Sequence, residues 1–135
     1  MKVNQVNPNY VCQLWPQVES MLDSALKTGG GEYNVDQLKV YLTEGSKTLL
    51  VAENEGKIIG ATAISLIRYP NDFICFVSAI GGKMIANKEL FSQLENWARS
   101  QGCTKIQGAA FESVARLWRQ RFGVMERYRI VEKTL

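Results

Sequence analysis

The sequence predicts one α/β domain in which about four helices flank a central, mixed but mostly antiparallel β-sheet. Amphipathic segments with helical spacing alternate along the chain with short apolar runs bounded by turn residues. Two of these runs are separated by a short glycine-containing turn, which indicates an antiparallel hairpin. With 135 residues, 46% of them hydrophobic and 21% charged, the chain is long enough to bury a core as a single domain spanning residues 1–135.

The first helix is predicted from the apolar positions between residues 11 and 27. They recur at three- and four-residue steps and form one wide stripe that can pack on a core. Pro16 lacks a backbone N–H and is best tolerated in a first turn, so the regular helix is expected to begin near Trp15. The glycine run at residues 29–31 ends this helix.

A second, shorter helix follows the glycine run, which is interpreted as a connector, with a substrate-facing loop as the alternative. Asn34 and Gln37 match a capping box, in which each side chain accepts a hydrogen bond from the backbone N–H of the other residue. Gly45 ends this helix, because a residue without a Cβ readily adopts the left-handed conformation that closes a helix.

The sheet is predicted from runs of apolar and β-branched residues. Asn54-Glu55-Gly56 forms a turn between two of these runs, which therefore make a hairpin. A later run is apolar on both faces and is expected to be a central strand. The predicted strands are Lys2–Val6, Thr48–Glu53, Lys57–Leu66, Phe73–Ile80 (the central strand), Thr104–Gly108 and Val124–Leu135.

Two more helices complete the predicted order. Asn87 is a good N-cap for an amphipathic helix that ends at Gly102. A last helix is expected from about Ser113 until Gly123, ahead of the final strand. The second half of the chain therefore reads as strand, helix, strand, helix, strand.

Composition excludes several classes of protein. No segment approaches the ~18 consecutive apolar residues of a membrane span, and the N-terminus lacks an apolar signal segment, so a cytoplasmic location is expected. Cys12, Cys75 and Cys103 lack metal-site spacing and are expected to be reduced, and no metal site is predicted. The net charge of +3 is too small to indicate nucleic-acid binding, although residues 105–135 carry seven basic and three acidic side chains.

The strongest indication of function is the junction between the central strand and the helix that follows it. Gly81-Gly82-Lys83 leads from the strand toward the helix that Asn87 caps. A helix N-terminus presents free backbone N–H groups and the positive end of the helix dipole, so the junction is a natural site for an anion. The alternative is a glycine turn without a ligand, since a lone Gly-Gly-Lys is a weak motif.

From Thr48 onward, this order of hairpin, strand, glycine junction, helix, strand, helix and strand resembles the GNAT superfamily of acetyl-CoA-dependent N-acyltransferases. The resemblance implies a splayed parallel pair of strands and acetyl-CoA as cofactor, with its pantetheine arm on the free strand edge and its pyrophosphate at the junction. It also implies a small or protein amine as acceptor. The cofactor-binding residues it implies are Ser78, Ala79, Ile80, Gly81, Gly82, Lys83, Met84, Ile85, Ala86 and Asn87.

Three positions depart from the family's pattern. The family's loop has Arg or Gln where this chain has Gly81, and Gly where it has Met84. Ala86 matches, because the family has Gly or Ala at that position. A methionine side chain at a position of close backbone approach to phosphate is expected to obstruct or widen the cradle. The family often has a tyrosine as general acid five residues before the last glycine, here Gly123. Trp118 holds that position, and an indole N–H does not ionise near neutral pH.

Candidates for a general base are few, because the chain has no histidine and the central strand has no carboxylate. Glu53 at the end of one strand, Asp72 at the start of another and Glu112 beside the last helix are the carboxylates expected near the splayed strands. The alternative for each of them is a solvated surface charge.

A narrower resemblance involves Leu94–Ile106, with the sequence LENWARSQGCTKI, and the Arg- and Trp-bearing helix after it. These segments are similar to small GNAT-like proteins encoded by tailed bacteriophages, some of which are virion components. The resemblance implies the host cytoplasm or the virion as location and phage structural proteins as partners. The expected partner-binding residues are Arg116, Trp118, Arg119 and Arg121, because Arg and Trp are frequent interface anchors. The alternative for Trp118 is a core contact on the last helix.

Two functions therefore follow from the sequence. The preferred one is GNAT-like transfer of an acetyl group from acetyl-CoA to an amine, with a degenerate cofactor loop. The other is a non-catalytic protein of the same fold that binds other proteins, for example as a phage virion or assembly component. Fold alone does not decide between them, because function resides in the site that a fold carries.

Overall fold

A computed structural model of the chain describes residues Met1–Leu135 and contains one five-stranded sheet with helices on both faces. The strands are β1 (Lys2–Val6), β2 (Thr48–Asn54), β3 (Lys57–Arg68), β4 (Phe73–Gly82) and β5 (Lys105–Gly108). They lie in the sheet in the order β1-β2-β3-β4-β5. Every neighbouring pair is antiparallel except β4 and β5, which are parallel. The predicted α/β class with a mixed, mostly antiparallel sheet is confirmed.

Four α-helices complete the domain, as the sequence predicted. They are α1 (Val11–Lys27), α2 (Val35–Glu44), α3 (Lys88–Ser100) and α4 (Glu112–Phe122). Asn34 and Gln37 form the predicted capping box at the start of α2, and Gly45 and Gly123 close α2 and α4 in the left-handed conformation. None of these helices combines the length and the apolar character needed to cross a membrane.

The core consists of two apolar layers, one on each face of the sheet. Helices α1 and α2 pack on the face that carries Val51, Ala63 and Ala79, whereas α3 and α4 pack on the face that carries Leu50 and Ile64. Adjacent strand residues enter different layers because successive side chains point to opposite faces. The two faces are called below the α1/α2 face and the α3/α4 face.

Cys75 is expected to resist thiol reagents in the native protein. It is buried in the layer between the sheet and α3, and this burial, with a smaller contribution from Cys103, raises the pKa of its thiol to about 12. Because the thiolate is the reactive species, Cys75 should react only after unfolding, whereas the exposed Cys12 should react at once. Peptide mass mapping after brief alkylation at mildly alkaline pH, with and without urea, checks this order. Native labelling of Cys75 as fast as that of Cys12 would contradict it.

The predicted start of the first helix near Trp15 is wrong, because α1 begins at Val11 and continues through Pro16. A proline at this position removes the hydrogen bond to the carbonyl four residues back, that of Cys12. Cys12 is exposed, so solvent can reach this turn. Burial of Val11, Trp15 and Val18 in the core holds the turn in spite of the missing bond.

The predicted final strand, Val124–Leu135, is also wrong. This segment has no regular secondary structure and lies exposed after the half-buried Val124, with Met125, Ile130 and Val131 at least 78% exposed. β-Propensity stabilises a strand only when a partner edge and a buried face are available. β5 is four residues long, and no backbone hydrogen bond joins it to residues 124–135.

Candidate functional site

The edge of β4 is open along its last residues. β5 pairs with β4 only along Ile74–Val77 and ends at Gly108, whereas β4 continues to Gly82. The side of β4 that faces β5 therefore has no strand partner along Ser78–Gly82. Unpaired backbone groups at such an edge are available to an extended ligand.

A β-bulge marks the start of this open edge. The register of β3 against β4 shifts by one residue and leaves Ser78 as the extra residue of β4. Side chains replace the interrupted ladder, since the Thr62 hydroxyl donates to the Ala79 carbonyl at 2.8 Å and the Tyr33 hydroxyl to the Ser78 carbonyl at 3.5 Å. The backbone is thus held in place where the two parallel strands part.

The two glycines of the predicted loop belong to the strand. Gly81 and Gly82 are the last residues of β4 and pair with β3. A Cβ on Gly81 would overlap the backbone carbonyl of Met21, and Gly82 has a φ of 65°. Both glycines are therefore needed for the close approach of α1 to β4 and for the turn out of the strand.

The connection from β4 to α3 is a short turn at Lys83–Ile85, and Asn87 caps the helix by accepting a hydrogen bond from Leu90 N at 3.0 Å. Met84 is fully buried, and its side chain packs against Gly60 in the core. The expected obstruction of the cradle by Met84 is therefore absent, because this side chain points into the core. The neighbours of Met84 are less buried, because Lys83 is exposed and Ile85 is half-buried.

Trp118 lies at the end of β5, where its ring is next to Gly108. It is only 7% exposed and packs edge-on against Phe91 and Phe122, with ring centroids 5.7 and 6.0 Å away. Its Nε1–H is buried without a hydrogen-bond partner. Trp118 is therefore a core residue and is not available as an exposed interface anchor. This placement agrees with the core contact that the sequence offered as the alternative for Trp118.

The arginines of α4 lie on its outer side. Glu112 forms ion pairs with Arg119 at 2.6 Å and with Arg116 at 3.8 Å. All three side chains lie at the surface. Arg121 is exposed and forms no ion pair. Surface pairs of this kind contribute little to stability. Glu112, a candidate base, is thus engaged with two cations of its own helix.

The other two candidate bases lie apart from the bulge. Asp72 precedes β4 and stands at the opposite end of the strand, roughly 17 Å from Val77 at ~3.3 Å per residue. The Lys105 ammonium, which donates at 3.0 Å, and the Thr104 hydroxyl at 2.9 Å lower the pKa of its carboxyl group. Glu53 is the last residue but one of β2, which lies two strands away from β4. No group of three or more Cys, Asp or Glu side chains is arranged to hold a metal ion.

A polar cluster that the sequence patterns did not identify lies beside the bulge on the α1/α2 face. The Lys47 ammonium donates to Ser65 Oγ at 2.6 Å and to Ser78 Oγ at 2.9 Å. The rings of Tyr33 and Tyr41 face it, with centroids 5.2 and 5.6 Å from Nζ. These residues come from the loop before α2, the second half of α2, the turn before β2, and two strands, so only the folded chain brings them together.

This Lys47 cluster borders a cavity of about 280 Å³ lined by Tyr33, Tyr41, Ser46, Lys47 and Ser65. Lys47 forms no ion pair, and burial lowers the pKa of its ammonium group. Burial is also the main effect that raises the pKa of Tyr33, which therefore stays a neutral phenol near pH 7. The cluster is thus a cation with aromatic walls and hydroxyl partners, open to a small ligand.

No protein-family model matches this sequence, and no curated protein matches it by sequence. Solved structures match it in fold over nearly its whole length. One is the ribosomal-protein-alanine N-acetyltransferase from Brucella melitensis biovar Abortus 2308, with a TM-score of 0.70 and 16% identity, covering 99% of this chain and 100% of the other.

Two further structures show the same likeness. An aminoglycoside acetyltransferase from an uncultured soil metagenomic sample, in complex with sisomicin, has a TM-score of 0.70 and 13% identity and covers 99% of this chain and 95% of its own. A predicted acetyltransferase with acetyl-CoA from Clostridium acetobutylicum has a TM-score of 0.66 and 15% identity, with 98% and 95% covered. This chain therefore shares the fold of these structures, the GNAT fold.

Proposed function

We propose that this chain is an acetyl-CoA-dependent N-acetyltransferase that transfers an acetyl group to an amine. The observation that carries the proposal is the open edge of β4 at Ser78–Gly82, which starts at a β-bulge and ends at the turn before α3. An open edge with this continuation suits a ligand that has an extended amide-bearing arm and a phosphate end. The clostridial structure, which shares the fold, contains acetyl-CoA.

The residues present fit this cofactor. The pantetheine arm would pair with the backbone of Ser78, Ala79 and Ile80, so burial of the Ala79 and Ile80 side chains does not interfere. The pyrophosphate would lie at the turn, where the exposed Lys83 and Lys88 supply positive charge and the first amides of α3 lack intrahelical partners. Met84 leaves this space free because its side chain is in the core.

When bound, acetyl-CoA supplies a thioester carbonyl that an amine can attack. The protein contributes positioning and fixed backbone N–H donors along the open edge. Trp118 does not return a proton in this scheme, because its indole does not ionise near neutral pH and its Nε1–H is buried. Proton transfer therefore falls to solvent, and transfer slower than in tyrosine-bearing relatives is expected.

Isothermal titration with acetyl-CoA is the direct test of the proposal. Affinity in the micromolar range is expected, together with a melting temperature that rises with ligand concentration. No binding at millimolar ligand would overturn the proposal. It would favour the non-catalytic alternative, including a role as a phage component, and the search would turn to proteins that contact Arg119 and Arg121.

Charge reversal at the turn tests where the pyrophosphate lies. The double variant Lys83→Glu with Lys88→Glu is expected to weaken acetyl-CoA binding at least tenfold, about 1.4 kcal/mol, because both side chains are exposed beside the turn. Lys57→Glu, at the exposed first residue of β3, is the control and should leave the affinity within about twofold. If the double variant and the control bind acetyl-CoA with equal affinity in the same titration, the cofactor phosphates do not lie at this turn.

A further inference from the structure

The half-buried Lys47 ammonium lacks a counter-charge. Two of its three hydrogens are donated to Ser65 and Ser78, and no carboxylate pairs with it. Hydroxyl groups and aromatic faces compensate an ammonium only in part when it is withdrawn from water. An anionic ligand group would take the third hydrogen and offset the remaining cost.

The Lys47 ammonium lies beside the strand edge to which the proposed function assigns the cofactor. Ser78, which accepts one of its hydrogen bonds, is the extra residue of the bulge where the open edge of β4 begins. The turn and helix assigned to the cofactor phosphates lead to the α3/α4 face. The Lys47 cluster opens on the α1/α2 face, which leaves that side of the edge for a second substrate.

We propose that Lys47 anchors the acceptor through an anionic group, so that the acceptor is a small amine that also carries a carboxylate or a phosphate. This inference rests on the proposed acetyl transfer and narrows its substrate class. The cavity of about 280 Å³ admits a molecule of amino-acid size. Tyr33 and Tyr41 form its apolar walls and pack against the carbon chain between the two charged ends.

Pairs of amines with and without an anionic group test the site without relying on catalysis. 4-Aminobutyrate is compared with 4-aminobutyramide, and O-phosphoethanolamine with ethanolamine, in titrations followed by NMR of ¹³C-labelled lysine side chains. The Lys47 signal, assigned with Lys47→Arg, should shift saturably with the anionic member of one pair and at least tenfold more weakly with its neutral partner. The pair that responds identifies carboxylate or phosphate as the anchored group.

Lys39 is the internal control in these titrations. It also lies over an aromatic ring, that of Trp15 at 5.6 Å, but it does not line the cavity. Its signal should not move. An absent response of Lys47 to all four probes, or equal responses to the charged and neutral members of both pairs, overturns the inference.

Acetyl transfer provides the second readout. Lys47→Met, which keeps the length and apolar character of the stem, should lower kcat/KM at least tenfold for the anionic probe and leave it within about twofold for the neutral one. Lys47→Arg should retain the preference, and Lys39→Met should behave as wild type. An unchanged preference in folded Lys47→Met, as judged by circular dichroism, overturns the inference.

The two proposals fail in different experiments. Acetyl-CoA binding in calorimetry without any preference for anionic probes rejects the anchor and retains acetyl transfer. A selective response of Lys47 without acetyl-CoA binding rejects acetyl transfer and retains an anion site of other use.

Discussion

Gly81→Ala is expected to lower the free energy of unfolding by about 3 kcal/mol, although it adds a single methyl group. The added Cβ would overlap the backbone carbonyl of Met21, and it would also approach the carbon of that carbonyl at 2.8 Å. A side chain can rotate away from a new neighbour, but here α1 itself must move from the sheet. That movement would open the layer in which Leu22 and Val18 are fully buried.

Gly108→Ala is the matched control, because it places the same methyl group on a sheet glycine with room. Its Cβ would lie 3.5 Å from the Trp118 ring, an ordinary contact distance. The control should change stability by less than about 1 kcal/mol. Urea unfolding of both variants, compared at their midpoints with unchanged slopes, measures the difference. If Gly81→Ala is as stable as Gly108→Ala, α1 does not pack on β4 as described.

Trp118→Ala is expected to cost about 3–5 kcal/mol of unfolding free energy, the range for loss of a buried aromatic ring. The ring packs with Phe91 and Phe122, which themselves stack with centroids 3.9 Å apart. Its removal leaves a cavity between α3, α4 and the end of β5. The same variant would affect only partner binding if Trp118 were an exposed anchor, so stability separates the two roles.

Trp118→Phe should be far milder, within about 1 kcal/mol of wild type. It loses part of the ring but also removes the buried Nε1–H that has no partner, and an unsatisfied buried donor costs about 1–3 kcal/mol. Urea unfolding of the alanine and phenylalanine variants side by side measures both effects. Equal damage by the two substitutions would mean that Nε1–H has a hydrogen-bond partner in solution.

Local sequence signals predicted most of the elements. The capping box at Asn34 and the closing glycines Gly45 and Gly123 act within one turn of the chain. Their effect on the helix ends therefore depends on local sequence and could be predicted without knowledge of the fold. The start of α1 was misplaced because tertiary burial of Val11 and Trp15 outweighs the local cost of Pro16. The prediction of the final strand was wrong for a related reason, because a strand forms only when it pairs with another strand.

The site was less accessible to sequence reasoning. The junction after β4 was predicted from its glycines. In the structure, Gly81 is required because α1 approaches β4 closely at this point. The bulge at Ser78 depends on the register between two strands, which no local pattern encodes. Lys47 stands between Ser46 and Thr48 without a motif, and its partners lie on distant segments.

The coincidence of strand order in the sheet and in the sequence bears on how the chain folds. β2, β3 and β4 are joined by short turns, so this three-strand meander forms from contacts of low sequence separation. β1 and β5 join it only after long connections containing helices have closed, at a larger entropic cost. We expect the meander to be ordered early on the folding route and the open edge beside β5 to be completed late.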